Sequence, residues 1–142
     1  MRTLHVGLRV AELERSLAFY SEVGYEVIGH VPETEFGSLT MLKLPGDEFV
    51  TVELVHDPRQ GTVDPGGLNH LVIQVESMEA TVAQLIARGI EVGAPASPDG
   101  SEDFWTAWIA DPDGYRIELV QWPGDHPEGM SEADFGGQAT GE

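Results

Sequence analysis

Between Leu4 and Val10 apolar and non-apolar residues alternate, as Leu-His-Val-Gly-Leu-Arg-Val. That period of two predicts a half-buried strand, with Leu4, Val6, Leu8 and Val10 on one face and His5, Gly7 and Arg9 on the other. The period then lengthens. Leu13, Leu17, Tyr20 and Val23 recur at helical spacing, so a helix is expected over about residues 12 to 23, closed by Gly24. Three shorter strands are expected next, at Tyr25 to His30, Leu39 to Leu44 and Phe49 to Val55. The turn Pro45-Gly46-Asp47 joins the last two.

The same order then recurs. Leu71 to Val75 reads as a strand, and Ser77 as the N-cap of a helix carrying Met78, Val82, Leu85 and Ile86 and closed by Gly89. Strands are expected near Ile90 to Val92, at Trp105 to Ala110 and at Tyr115 to Gln121, with a turn at Asp111-Pro112-Asp113-Gly114. A shift of 65 residues superposes the two halves without a gap. His5 falls on His70, Leu8 on Ile73, Val10 on Val75, Gly24 on Gly89 and Val27 on Val92; much further on, Glu53 falls on Glu118 and Leu54 on Leu119. The chain therefore reads as α+β, built from two βαβββ modules at 1–58 and 68–122. A Gly- and Pro-rich linker at 59–67 joins them. The acidic stretch 123–142 has no Lys, no Arg and no periodicity, and is expected to be a disordered tail.

Charge narrows the function classes. Twenty-five acidic residues face seven basic ones, a formal net charge of -18, which would repel nucleic acid and anionic membranes. Most of that acidity is read as a solvated surface. There is no cysteine, so disulfides, thiolate metal sites and thiol nucleophiles are excluded together. No apolar run approaches the roughly 18 residues that span a bilayer, and the amino end lacks a secretory pattern, so a cytoplasmic protein is expected.

Each module places a His on its first strand and a Glu on its last, and both separations are 48 residues. A lone His on a strand, or a lone Glu near a strand end, is ordinarily a surface residue. Four residues of ligand type at matching places in two copies of one unit are another matter. With first and last strands side by side, His5, Glu53, His70 and Glu118 would face a common hollow. Two imidazoles and two carboxylates suit a borderline divalent metal, whose charge the carboxylates balance. His30, His56 and His126 have no such counterparts and are not counted as ligands.

The opening LHVGLRVAELERSLAFY, the segments TVELVHD and NHLVIQV, and above all DPDGYRIELVQ from Asp111 to Gln121 resemble the vicinal oxygen chelate superfamily. Within it, the His, Glu, His, Glu set is similar to the glyoxalase I branch. The resemblance covers residues 1 to 122 or so. It implies paired modules with curved mixed sheets around a metal site, and usually a homodimer. It also implies an enzyme that isomerises the hemithioacetal of methylglyoxal and a thiol. Glu118 would be the principal base and Glu53 its counterpart for the other stereoisomer, both also serving as metal ligands. The resemblance favours nickel or cobalt, with zinc as the third option. Arg9 matches a position that grips the substrate's carboxylate, and Asp57 stands where the family has a substrate-binding Asn.

One departure bears on substrate. No Lys or Arg lies between Arg88 and Arg116, and the loop Ser97 to Asp103 is acidic where the family offers lysine. A dianionic glutathione beside Asp99, Glu102 and Asp103 would be repelled by about 1 kcal/mol or more per close pair. A different thiol, or a small 2-oxo or 2-hydroxy compound, is therefore expected. Two alternatives stay open: a metal-dependent epimerase or isomerase of another acid, and a non-catalytic module that binds a cationic or aromatic small molecule through Trp105, Trp108 or Trp122.

Overall fold

The computed structural model describes residues 1–136 of the 142. The elements run β1 (Val6–Arg9), α1 (Leu13–Val23), β2 (Glu26–Thr34), β3 (Gly37–Lys43), β4 (Val52–His56), β5 (Leu71–Gln74), α2 (Met78–Ala87), β6 (Trp105–Ala110), β7 (Arg116–Gln121) and a short 3-10 turn at Glu132–Phe135. They form a four-stranded sheet ordered β1-β4-β3-β2 and a three-stranded sheet ordered β5-β7-β6. In both, the first and last strands of the module are neighbours, as the ligand pattern required.

The first sheet is mixed. β1 runs parallel to β4, pairing Gly7 with Glu53 and Leu8 with Leu54, while β3 runs antiparallel to both β4 and β2. Alternation sorts its faces. Leu8, Thr40, Leu42, Val52 and Leu54 are buried on one side. Gly7, Arg9, Glu53 and Val55 share the other by the same period of two. The inward face holds only in part along β1, because Leu4 and Val6 are exposed while Leu8 and Val10 are buried. β2 outruns its expected end at His30 and reaches Thr34, with register shifts between Val27 and Gly29 and between Val31 and Thr34.

α1 ends as expected. Gly24 takes φ 123°, and its N–H reaches the Tyr20 and Ser21 carbonyls. α2 starts on Ser77, whose hydroxyl accepts from the Ala80 N–H. Gly89 follows at φ 85°. The strand expected at Ile90 to Val92 does not form. Gly93 donates to Trp108 and Ala96 makes an isolated bridge with Thr106, and Pro95 between them has no N–H to continue a ladder. The second sheet therefore has three strands.

By packing, the chain divides into one unit of Met1–Leu71 with Ala110–Ile117, and a second of Val72–Ile109 with Glu118–Glu142. The linker 59–67 and the Asp111–Gly114 turn thus belong to the first unit. That turn is tied into it by side chains. Asp111 accepts from the Asp113 and Tyr115 N–H groups and, at 2.8 Å, from the hydroxyl of fully buried Tyr20. Burial pushes the Tyr20 phenol far up, with Asp111 adding to the shift. Burial also pushes the Asp111 carboxyl up, against the pull of those same hydrogen bonds. Asp113 in turn accepts from the Ala11 N–H and from Arg15.

Beyond β7, where no regular structure was expected, Ser131 and Asp134 form a capping box around the 3-10 turn. His126 stacks on Trp122 and contacts Asp134. The expected tail continues over 137–142, outside the described residues.

Candidate metal and substrate site

His5 and Glu53 come together. His5 stands one residue before β1, and Glu53 is the second residue of β4, whose parallel register sets it opposite Gly7. A Cβ on Gly7 would lie 3.5 Å from Glu53 Oε2, so the glycine leaves this face open directly beside the carboxylate. His5 Nε2 and Glu53 Oε1 are 3.6 Å apart, with the Glu53 side chain four-fifths covered. Two donors sharing one ion at bond lengths of roughly 2.0–2.2 Å stand about 3 to 3.4 Å apart. The pair is within a few tenths of an ångström of that spacing, and an imidazole with a carboxylate is a donor set a divalent ion accepts. These two residues fit one half of a metal site.

The second half repeats the placement by element. His70 stands immediately before β5, as His5 does before β1, and Glu118 is the third residue of β7. His70 Nδ1 lies 2.6 Å from Asn69 Oδ1. Among the described residues, no three His, Asp or Glu side chains gather into a metal cage within one chain. His30 and His126, not expected to be ligands, have other contacts: His30 Nδ1 lies 2.9 Å from Thr40 Oγ1, and His126 meets Asp134.

Of the two substrate positions, Arg9 lies on the open face of β1, with its Nη1 buried and without a hydrogen-bond partner. Asp57 is already engaged. Arg59 Nε donates to Oδ1 at 2.9 Å, Nη2 to Oδ2 at 3.0 Å, and the Arg59 N–H also to Oδ1. These bonds hold the Asp57 carboxyl down at about 2. Sequence reasoning missed Arg59, although its place two residues after Asp57 allows this fork. It also missed Tyr115, whose hydroxyl donates to the Arg9 carbonyl across 106 residues of sequence. No local pattern signals such a contact. The acidic loop is built around Asp99, which accepts from the Ser101 N–H and from Ser97 Oγ; Ser101, more than Ser97, holds its carboxyl below the ordinary range.

Two helices with a four-stranded mixed sheet and a three-stranded sheet, first and last strands adjacent in each, define the α+β vicinal oxygen chelate fold. Residues 2–119 match the model of the Glyoxalase/Bleomycin resistance protein/Dioxygenase superfamily, and the chain belongs to that family. It is 30% identical to lactoylglutathione lyase of Salmonella typhimurium over 125 residues, 85% of this chain and 93% of that one. A probable lactoylglutathione lyase of Vibrio parahaemolyticus is 33% identical over 84% of this chain and 90% of its own. The chain also matches a probable chloroplastic lactoylglutathione lyase of Arabidopsis thaliana, of which it spans only 38%. Among solved structures, a glyoxalase I variant of Zea mays superposes with a TM-score of 0.74 at 26% identity, over 86% of this chain and 45% of that chain. An antibiotic binding protein of Streptomyces, TnmS3, gives 0.67 at 25% identity, over 87% and 98%. These relatives support a glyoxalase-like function.

Proposed function

We propose that the protein is a metal-dependent isomerase of the glyoxalase I type, acting on the hemithioacetal of a 2-oxoaldehyde and a thiol other than glutathione. The observation that carries this reading is the contact of His5, just before β1, with Glu53 on the adjacent parallel strand β4, with His70 and Glu118 at the corresponding elements of the second module. His5, Glu53, His70 and Glu118 would hold the ion, nickel or cobalt before zinc. A divalent ion bound there supplies Lewis-acid stabilisation of negative charge developing on the substrate oxygens.

The carboxylates move the proton. Glu118 accepts it from the carbon bearing the sulfur and hydroxyl and returns it to the neighbouring carbonyl carbon, while the hydroxyl proton passes to that carbonyl's oxygen, so that the hemithioacetal becomes a thioester with no net loss of atoms. Glu53 does the same for the opposite stereoisomer. Arg9 offers its unsatisfied guanidinium nitrogen to an anionic part of the substrate, and Asp57 acts through Arg59. Pairing with a second copy, as a homodimer, is supported by the exposed apolar Leu4, Val6, Val27 and Ile28.

The test is turnover. Purified protein loaded with nickel, cobalt or zinc is mixed with methylglyoxal and glutathione, mycothiol, bacillithiol or coenzyme A, with thioester formation followed. Metal-dependent turnover with one of the non-glutathione thiols is expected, and saturating turnover confined to glutathione contradicts the choice of thiol. A second reading, a small-molecule binder, is favoured by a cleft of about 690 Å³ in the second unit, lined by Met78, Val82, Ile86 and Trp105 with Glu79 and Glu102 beside them. Metal-free protein that binds an aromatic cation and turns over nothing would establish that reading instead.

A further inference from the structure

The two helices hold corresponding places in the repeat, yet they present different surfaces. α1 carries Glu14, Arg15 and Glu22, whereas Glu79 is the one charged residue of α2. Under the same shift that superposes the modules, Ile86 stands where α1 has Ser21, Ala87 where it has Glu22 and Ala80 where it has Arg15. Ile86 is exposed all the same. A helix on the surface ordinarily turns polar residues outward, so an apolar patch on α2 points to something that covers it.

Beside that patch lies a cleft of about 690 Å³, wholly within the second unit and in the range of roughly 300–1,000 Å³ that suits a small organic molecule. Val82, Ala83, Ile86, Pro95 and Trp105 form its apolar wall. Most of its polar groups are already committed within the protein. Gln121 Oε1 accepts the Met78 N–H at 2.7 Å, and Nε2 donates to the Asp103 carbonyl at 2.9 Å. Trp105 Nε1 donates to the Glu102 carbonyl at 2.8 Å, and Ser77 Oγ accepts the Ala80 N–H. The carboxylates of Glu79 and Glu102 are engaged by no described residue, and the lining holds no Lys, Arg or His. Two open carboxylates and an indole ring on an apolar wall complement a positive charge on an apolar body.

The cleft and Glu118 lie on opposite faces of β7. Gln121 reaches α2, so by the period of two buried Leu119 points the same way and Glu118 the other. On β6, Trp105 shares a face with buried Ala107 and Ile109, and Trp108 takes the opposite one. We propose that this cleft is a second ligand site, separate from the proton-transfer carboxylate, and that it takes a small organic cation: an ammonium group carried on a compact apolar or aromatic body. It needs neither metal nor turnover, and so stands or falls apart from the isomerase reading.

The experiment uses the full chain, labelled with nitrogen-15, and four probes at low salt: 3-phenylpropylammonium, the uncharged 3-phenylpropan-1-ol, the anionic 3-phenylpropionate and tetramethylammonium, a cation without an apolar body. The indole N–H signals report position, with that of Trp105 assigned through Trp105→Phe. Phenylpropylammonium should bind most tightly and shift the Trp105 signal, leaving Trp108, on the other face, and Trp122, held in its stack with Phe104 and His126, in place. Glu79→Gln and Glu102→Gln should each weaken the amine by about two- to fivefold, the worth of an exposed ion pair, and leave the alcohol unchanged. Ile86→Ser, which gives α2 the residue α1 has there, should weaken amine and alcohol alike by about fivefold. Glu118→Gln should leave the amine's affinity as it is. Tetramethylammonium or the acid binding as tightly as the amine overturns the proposal, as does a shift at Trp108 or Trp122 in place of Trp105, or a chain that takes up none of the probes. An oligomer that dissociates as the amine binds would put a second copy in the cleft, and overturns it as well.

Discussion

The two modules were cut from one pattern and have not kept the same parts. The first has four strands and the second three. The strand the second lacks corresponds to β2, the outermost of the first sheet and the farthest from the β1–β4 pair that carries His5 and Glu53. Its counterpart pair, β5 and β7, is still adjacent, with His70 just before β5 and Glu118 within β7. Losing an edge strand sacrifices a few ladder bonds and leaves the neighbouring positions alone. Losing the last strand, β4 or β7, would remove the carboxylate it carries. The repeat therefore differs at its rim and keeps its His and Glu positions.

The sharpest way to break this equivalence is to neutralise the two carboxylates in turn. Glu118→Gln should lower kcat by about 100- to 10,000-fold, the range for loss of a general base. Glu53→Gln should cost less with one stereoisomer of the hemithioacetal and more with the other. Equal losses on both stereoisomers would remove the division of labour between modules.

How much of this was legible in the sequence depends on distance along the chain. β1, α1 and α2 were readable because each is a local period, and the 48-residue His–Glu spacing because the repeat shows it twice. The strand at Ile90 to Val92 was misread for the same reason. Its apolar pattern matches Val27 and its neighbours, yet Pro95 and the bond from Gly93 to Trp108 take the backbone elsewhere. β2 runs past the expected end at His30 to Thr34, through a register shift between Val31 and Thr34 that takes in Pro32. The hold of Tyr20 on Asp111, spanning 91 residues, could not have been read at all.

That contact is the next lever. Tyr20→Phe keeps the ring's edge contacts with Phe19 and Tyr25 but leaves a buried Asp111 oxygen without its donor. Thermal or denaturant unfolding should show a loss of about 1–3 kcal/mol. The ring's neighbour Tyr25, its phenol pushed up to about 12 by burial, should stay protonated throughout.

The helices differ in a smaller way. Ser77 caps α2 through its hydroxyl, whereas Glu12 at the start of α1 makes no side-chain cap bond. Ser77→Ala should therefore cost about 0.5–2 kcal/mol. Glu12→Ala should stay within about 0.5 kcal/mol. A reversed order would mean the two helices are not held as described.

The smallest effect lies beyond the second module. Asp134 raises the His126 imidazole above its ordinary value, with the Pro127 carbonyl and the Asp125 charge adding to it. A group whose folded pKa is raised stabilises below its unfolded pKa, and that support fades as pH rises through the folded one. Proton NMR should find His126 titrating above an ordinary histidine, and its stacking on Trp122 should loosen at the alkaline end. Asp134→Asn should bring the titration back down.

As proposed, His5–Glu53 and His70–Glu118 are two halves of one metal site. Its most direct test is the affinity for nickel of the parent protein, His5→Ala and His70→Ala, measured by calorimetry with metal content checked by mass spectrometry. Both variants should lose the high-affinity ion the parent binds, though the two histidines lie in different modules. Parent-like affinity in either variant would contradict it.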